Sequence, residues 1–133
     1  MRSPGPYQTQ AAINVLHAQA RHPEETDWAQ IVALYDVLYE MTPSPVVELN
    51  RAVAVAMTEG INQGMILLDP IEDTGELNEY YLFHAARADL LRRTGKFDEA
   101  WVAYTRALEL CQNSIERSFL RRRLAEIKSQ ARQ

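Results

Sequence analysis

Residues 88–108 read ADLLRRTGKFDEAWVAYTRAL, and their pattern is the strongest indication of the fold. Apolar residues recur with helical spacing on both sides of Gly95, where glycine provides the left-handed residue that ends a helix. Ala88 and Ala100 are small enough to let two paired helices approach closely, while Tyr104 fills the space between successive pairs. The stretch therefore predicts a hairpin of two helices.

The same pattern stands 36 residues earlier, and self-similarity at a fixed period is the signature of a repeat protein. The matching positions are Arg51 and Arg87, Ala52 and Ala88, Val55 and Leu91, Gly64 and Ala100, and Leu68 and Tyr104. The hairpin resembles a tetratricopeptide repeat. It departs from that pattern at Arg87, where the repeat usually carries leucine, and at Gln112, where it often carries proline.

Helical spacing and turn residues predict seven helices and no strand. They cover about 7–21, the run from Thr26 to the turn at 43–45, and then 45–58, 61–68, 77–94, 97–111 and 113–129. Thr26 and Ser44 are expected N-caps, Pro45 a first helical residue, and Asn113 with Glu116 a capping box. The sequence thus predicts an all-α, right-handed superhelical stack of three hairpins plus a C-terminal capping helix.

The predicted domain covers residues 7–133. The segment 1–6 contains two prolines and a glycine, which indicates a linker from a longer protein or, alternatively, a frayed terminus. Four aromatic residues are expected to be substantially buried: Trp28, Tyr35, Trp101 and Tyr104. The capping helix is expected to cover the last hairpin through Ile115, Leu120, Leu124 and Ile127.

Composition narrows the classes of function. The formal net charge is −4, so the surface as a whole should not attract nucleic acid. One cysteine among 133 residues excludes an internal disulfide and a cysteine-based zinc site, and it favours the cytoplasm. No apolar run approaches the roughly 20 residues of a membrane span, so we expect no membrane contact.

The sequence contains few motifs that are typical of catalysis or of metal binding. The sequence has no glycine-rich phosphate loop and no Gly-x-Ser-x-Gly elbow. His17 and His22 are five residues apart, which is not the spacing of paired ligands on one helix face. Cys111 falls in an apolar stripe with Leu108 and Trp101, which favours a core thiol over a nucleophile. We therefore expect no enzyme activity, no metal and no cofactor.

Polar residues among apolar neighbours mark the first helix of each predicted hairpin. They are Gln10, Asn14, His17, Asn50, Arg51, His84 and Arg87. Because these helices line the concave wall of a repeat stack, the set forms a candidate groove for binding a protein. The alternative is that Arg51 and Arg87 are partly buried and paired with carboxylates such as Glu48 or Asp27. Both readings can hold together.

A basic cluster marks the last predicted helix, at Arg117, Arg121, Arg122, Arg123 and Lys128. Cations there complement the negative end of the helix dipole, and Glu116 and Glu126 stand among them. The cluster indicates a solvated face or intramolecular contacts, with phosphate contact as the weaker alternative.

Five segments of the sequence, taken in their order along the chain, resemble a single protein family. They are GPYQTQAAI at 5–13, DW at 27–28 followed by Ile31, Leu34 and Tyr35, PSPVVELNRAVA at 43–54, HAARADLLRR at 84–93 and FLRRRL at 119–124. Together they resemble the C-terminal extension of a subgroup of bacterial extracytoplasmic-function RNA polymerase sigma factors. The resemblance covers nearly the whole chain and supplies no catalytic residues.

The resemblance implies a regulatory module of a sigma factor. Its expected partners are the N-terminal sigma domains of the same polypeptide, RNA polymerase, or both, with no specific DNA binding by this domain. The alternative that the residues leave open is a free-standing adaptor that binds a peptide in its concave groove.

Overall fold

The fold is known from a computed structural model, which describes residues 5, 6, 8–10, 12, 13 and 26–131. In this part of the chain the regular structure is helical, with no strand. The helices are α1 (Trp28–Met41), α2 (Pro45–Glu59), α3 (Ile61–Thr74), α4 (Tyr81–Arg93), α5 (Phe97–Leu110) and α6 (Ser114–Ala131), and residues 6, 8–10, 12 and 13 are helical as well. The prediction of an all-α protein is confirmed. None of these helices is long and apolar enough to cross a membrane.

The chain divides into two compact units, Met1–Leu67 and Leu68–Gln133. In the first unit, α1 packs on α2 around a core of Ile13, Ile31, Tyr35, Leu38 and Ala54. In the second unit, α5 packs on both α4 and α6. The fully buried side chains of the second unit include Phe83, Leu90, Leu91, Tyr104, Leu120 and Ile127.

The starts of α1 and α2 follow the capping rules, with one change from the predicted residues. Ser44 accepts a hydrogen bond from the Val47 amide at 3.1 Å, and Pro45 is the first residue of α2, as predicted. At α1 the cap is Asp27, which accepts from the Gln30 amide at 3.1 Å. The prediction of Thr26 was therefore wrong by one residue. A carboxylate cap also complements the positive end of the helix dipole, which a hydroxyl does not.

The predicted N-cap at Asn113 and the predicted helix end at Gly95 are confirmed, and the Glu116 half of the capping box stays a prediction. The Asn113 side chain accepts from the amides of Ile115 and Glu116 at 2.9 and 3.0 Å, so it caps α6. Gly95 has φ of +80°. Its amide donates to the Arg92 carbonyl and the Lys96 amide to the Leu91 carbonyl, each at 3.0 Å. This is a Schellman ending, which requires the left-handed residue that glycine provides.

Helix α3 is longer than predicted. It continues through Pro70 to Thr74, and α4 begins at Tyr81 instead of residue 77. Proline inside a helix removes one backbone hydrogen bond, and for that reason the sequence predicted an end before it. Leu68 and Ile71 on either side of Pro70 are both buried, so burial of apolar surface keeps this segment helical.

Positions 36 residues apart are structurally equivalent, and this spacing is here called the register. It is visible in which side chains are buried and in how closely helices approach one another. Buried residues match buried residues: Ala52 and Ala88, Val55 and Leu91, Gly64 and Ala100, and Leu68 and Tyr104. Gly64 shows why a small residue is needed, because a Cβ placed there would lie 2.5 Å from the Ala56 Cβ. The register also extends to α6, where Ile127 is buried at the position of Val55 and Leu91.

Two side chains that were expected to be buried, Trp101 and Ile115, are exposed. Tyr35 and Tyr104 are buried and Trp28 is half-buried, but Trp101 is 40% exposed. The prediction that Trp101 is buried was wrong, because it lies on the outer face of α5 beside the exposed Val102. On α6, Leu120 and Ile127 are buried and Leu124 is half-buried, whereas Ile115 is 77% exposed.

Candidate protein-interaction surface

The predicted groove residues of the first unit are partly committed to internal contacts. The half-buried Gln10 forms a side-chain hydrogen bond with Tyr35. Burial of the Tyr35 phenol raises its pKa, and the bond to Gln10 opposes that rise. Asn50 is half-buried on α2. Asn14 and His17 lie outside the described residues.

Both groove arginines are paired, one in each unit. Arg51 on α2 pairs with Asp36 on α1 through its Nε. In the second unit, the Arg87 Nε lies 3.3 Å from Glu72 Oε2, which joins α4 to α3. Each acid precedes its arginine by 15 residues. The prediction of partly buried, paired arginines is confirmed.

The predicted acids, Glu48 and Asp27, are not the partners of these arginines. Glu48 accepts a 2.6 Å hydrogen bond from the Tyr39 hydroxyl, which raises the pKa of that phenol. Asp27 caps α1. The partners instead come from the preceding helix at the same register position, since Asp36 and Glu72 are also 36 residues apart.

His84 is held at the start of α4. Its Nε2 lies 2.8 Å from the Asn78 carbonyl oxygen, and its ring meets the Phe83 ring edge-on at a centroid distance of 5.2 Å. A ring nitrogen that donates to a backbone carbonyl orders the segment before α4. The side chain thus has a role within its own unit.

Two of the basic residues of α6 form contacts within the protein, and the other three form no ion pair with the described residues. Arg117 donates to the carbonyls of Leu108 and Cys111 at 2.6 and 2.9 Å, so it satisfies carbonyls at the end of α5. Arg123 pairs with Glu126 at 3.0 Å. The Arg123 guanidinium also lies 5.0 Å from the centroid of the Phe119 ring, a cation–π contact. Arg121, Arg122 and Lys128 are exposed and form no ion pair with the described residues.

A polar network joins α4 to α5. Asp89 accepts from Arg92 at 2.7 Å and from the Tyr104 hydroxyl at 3.4 Å, and Arg92 Nε donates to that hydroxyl at 3.3 Å. Burial raises the pKa of Tyr104. Burial by itself lowers the pKa of Arg92, but its bonds to Asp89 and Tyr104 leave that pKa raised. These hydrogen bonds join the two helices and stabilise the hairpin.

The outer face of α5 carries a surface that the sequence did not reveal. A shallow, open depression of about 360 Å³ is lined by Trp101, Val102, Thr105, Arg106 and Glu109. The register contained a signal for it, because Met65 and the 58% exposed Ile66 occupy the positions of Trp101 and Val102. Exposed tryptophan is enriched where proteins bind one another.

Nothing in the described part of the chain gathers three or more side chains suited to holding a metal ion. Cys111 is buried as predicted, with its Sγ 3.7 Å from the Asn113 carbonyl oxygen. The arrangement can present surfaces to a partner, and its polar groups mainly order the helices.

Comparison with known proteins finds a relative in a rhizobial bacterium. An uncharacterized protein of Rhizobium meliloti (strain 1021) is 45% identical over 123 residues. The alignment covers 92% of this chain and 29% of the relative, so the chain spans less than a third of that protein's length. No family model matches the chain, and no solved structure matches it.

Proposed function

We propose that this chain is a non-catalytic interaction domain that regulates transcription initiation as part of an extracytoplasmic-function sigma factor. The resemblance of its sequence runs to that family supports the proposal along nearly the whole chain. The all-α fold is compatible with it. The domain acts by contact with the sigma body or with RNA polymerase.

The observation that most strongly supports a role in protein binding is the 36-residue register. It recurs in the buried positions and in the ion pairs of Arg51 with Asp36 and of Arg87 with Glu72. This recurrence supports a helical-repeat domain of the tetratricopeptide kind, with hairpins stacked in a right-handed superhelix. Repeat domains of this kind present extended surfaces that bind other proteins.

The Rhizobium meliloti relative supports action within a larger polypeptide, since the matching segment is 29% of its length. A partner on the same chain is present at high effective concentration, so an individually weak interface is sufficient to keep the two together. Among the groove residues, we propose that Asn14, His17 and Asn50 contact the partner. Gln10, Arg51, His84 and Arg87 then order the wall that presents them.

Transcription assays with and without the domain test this function. In the polypeptide that joins this domain to sigma domains, deletion of residues 7–133 is expected to change transcription from its target promoter several-fold, while core polymerase binding is retained. The measurement is in-vitro transcription with purified polymerase. Unchanged transcription would refute the regulatory proposal, and peptide binding by the isolated chain would then favour the adaptor.

A further inference from the structure

Helix α6 occupies the same repeat position as α2 and α4. Within the described residues no helix follows it in the way that α3 follows α2 and α5 follows α4. Helix α2 approaches the following helix at Ala52 and Ala56, since a Cβ placed on Gly64 would lie 3.0 Å from the Ala52 carbonyl oxygen and 2.5 Å from the Ala56 Cβ. Helix α4 meets α5 on the same face, where Arg92 bonds to Tyr104. The residues of α6 at these positions are Leu124, equivalent to Ala52 and Ala88, and Lys128, equivalent to Ala56 and Arg92.

This side of α6, here called the α6 face, consists of Arg121, Leu124, Ala125 and Lys128. Leu124 is half-buried and the other three are exposed, whereas Ala52 and Ala88 at the position of Leu124 are fully buried. The repeat pattern therefore places a helix-binding side here that the described residues leave open to solvent.

The charges of the α6 face are arranged around an apolar centre. Arg121 and Lys128 are seven residues apart, about two helical turns, so they lie on the same side with Leu124 between them. Neither forms an ion pair with the described residues. Arg117 lies one turn before Arg121 but is committed to the carbonyls at the end of α5.

The charge of α6 also differs from that of the chain. Residues 114–131 contain five basic and two acidic side chains, a net charge of +3, in a protein of net charge −4. A localised positive field steers an acidic partner towards this helix.

We propose that the α6 face binds an acidic amphipathic helix of a partner protein, in the position that α5 has on α4. Such a helix places carboxylates opposite Arg121 and Lys128 and small apolar residues over Leu124 and Ala125. This inference does not depend on the sigma-factor proposal, because it rests on the residues and the charge of α6 itself.

Two other occupants fit the face less well. A second copy of α6 is repelled, since each helix carries a net charge of +3. Nucleic acid is favoured by a row of cations that neutralise successive phosphates. Here an apolar residue separates the two cations, and the chain as a whole is acidic.

A pair of matched peptides tests the proposal with the full 133-residue chain. Each peptide is a fluorescein-labelled amphipathic helix of 14 residues, the length of α5, with two alanines between charged residues seven positions apart. The charged residues are glutamate in one peptide and lysine in the other. Fluorescence anisotropy is expected to show binding of the glutamate peptide at least about tenfold tighter than that of the lysine peptide, with the difference shrinking as salt rises.

Charge reversal supplies the decisive comparison. The double variant Arg121→Glu with Lys128→Glu is expected to reverse the preference between the peptides, with its thermal melt confirming that it folds. Arg122→Ala is the control, since Arg122 is an exposed neighbour about 100° away around the helix. It is expected to weaken binding of the glutamate peptide far less than the double variant does and to keep the preference for that peptide.

Three results would overturn the proposal. The first is equal or undetectable binding of both peptides. The second is a loss of affinity in Arg122→Ala as large as in the double variant. The third is tighter binding of a labelled DNA duplex than of the glutamate peptide under the same salt, which would assign the face to nucleic acid.

Discussion

At the scale of single residues, Gly64 and Ala100 set the distance between paired helices. A Cβ at Gly64 would meet the Ala56 Cβ at 2.5 Å and the Ala52 carbonyl oxygen at 3.0 Å. Ala100, its register equivalent, is fully buried. Gly64 has no room for a side chain, and the full burial of Ala100 predicts the same there, so we expect the helices to move apart if a larger residue is introduced.

Gly64→Leu and Ala100→Leu are each expected to lower the free energy of unfolding by roughly 1–3 kcal/mol, because overpacking strains the helix pair. Urea denaturation followed by circular dichroism measures the effect. Gln63→Leu, at an exposed position next to Gly64, serves as control and should change the midpoint little. If both core variants keep the original midpoint, the assigned register is incorrect.

Arg51 and Asn50 are neighbours in sequence with different expected roles. Arg51→Ala removes a half-exposed ion pair with Asp36 and is expected to lower stability by about 0.5–1 kcal/mol. Asn50→Ala should leave the thermal melt unchanged but reduce transcription by the polypeptide that carries the domain. Melting of the isolated chain beside reporter transcription separates the two effects. Equal transcription with and without Asn50 would remove it from the proposed contact surface.

At the level of secondary-structure elements, α3 shows that tertiary packing can override the local sequence rules that predict helix ends. Local chemistry predicted the Ser44 and Asn113 caps and the end of α4 at Gly95, because each depends on a few adjacent residues. Burial on both sides of Pro70 depends on residues distant in sequence, which local rules do not include.

Pro70→Ala is expected to stabilise the protein by about 1–2 kcal/mol. The alanine amide can donate to the Ile66 carbonyl, and this gain exceeds the smaller loss that comes from a more flexible unfolded chain. Pro70 is exposed, so the exchange leaves no cavity. Asp69→Ala is the neighbouring control. A lower melting temperature for Pro70→Ala would show that the proline fits this helix without cost.

At the scale of the whole molecule, the all-α fold and its register could be predicted from the sequence, since both follow from periodic spacing. The candidate site could be predicted only in part. Periodicity indicated that Arg51 and Arg87 belong to one series, but their partners lie on another helix. The prediction that Trp101 is buried was wrong because a broad apolar stripe on a helix does not show which of its edges packs against another helix.

The interval between paired side chains has a consequence for how the chain folds. Asp36 with Arg51, Glu72 with Arg87, and Asp89 with Tyr104 are each separated by 15 residues. Joining such near neighbours costs little chain entropy, since the entropic penalty of closing a loop rises with its length. Proteins dominated by contacts at short separation fold in about microseconds to milliseconds. Each helix pair can therefore form before the chain that follows it is available, which suits a domain emerging from the ribosome one hairpin at a time.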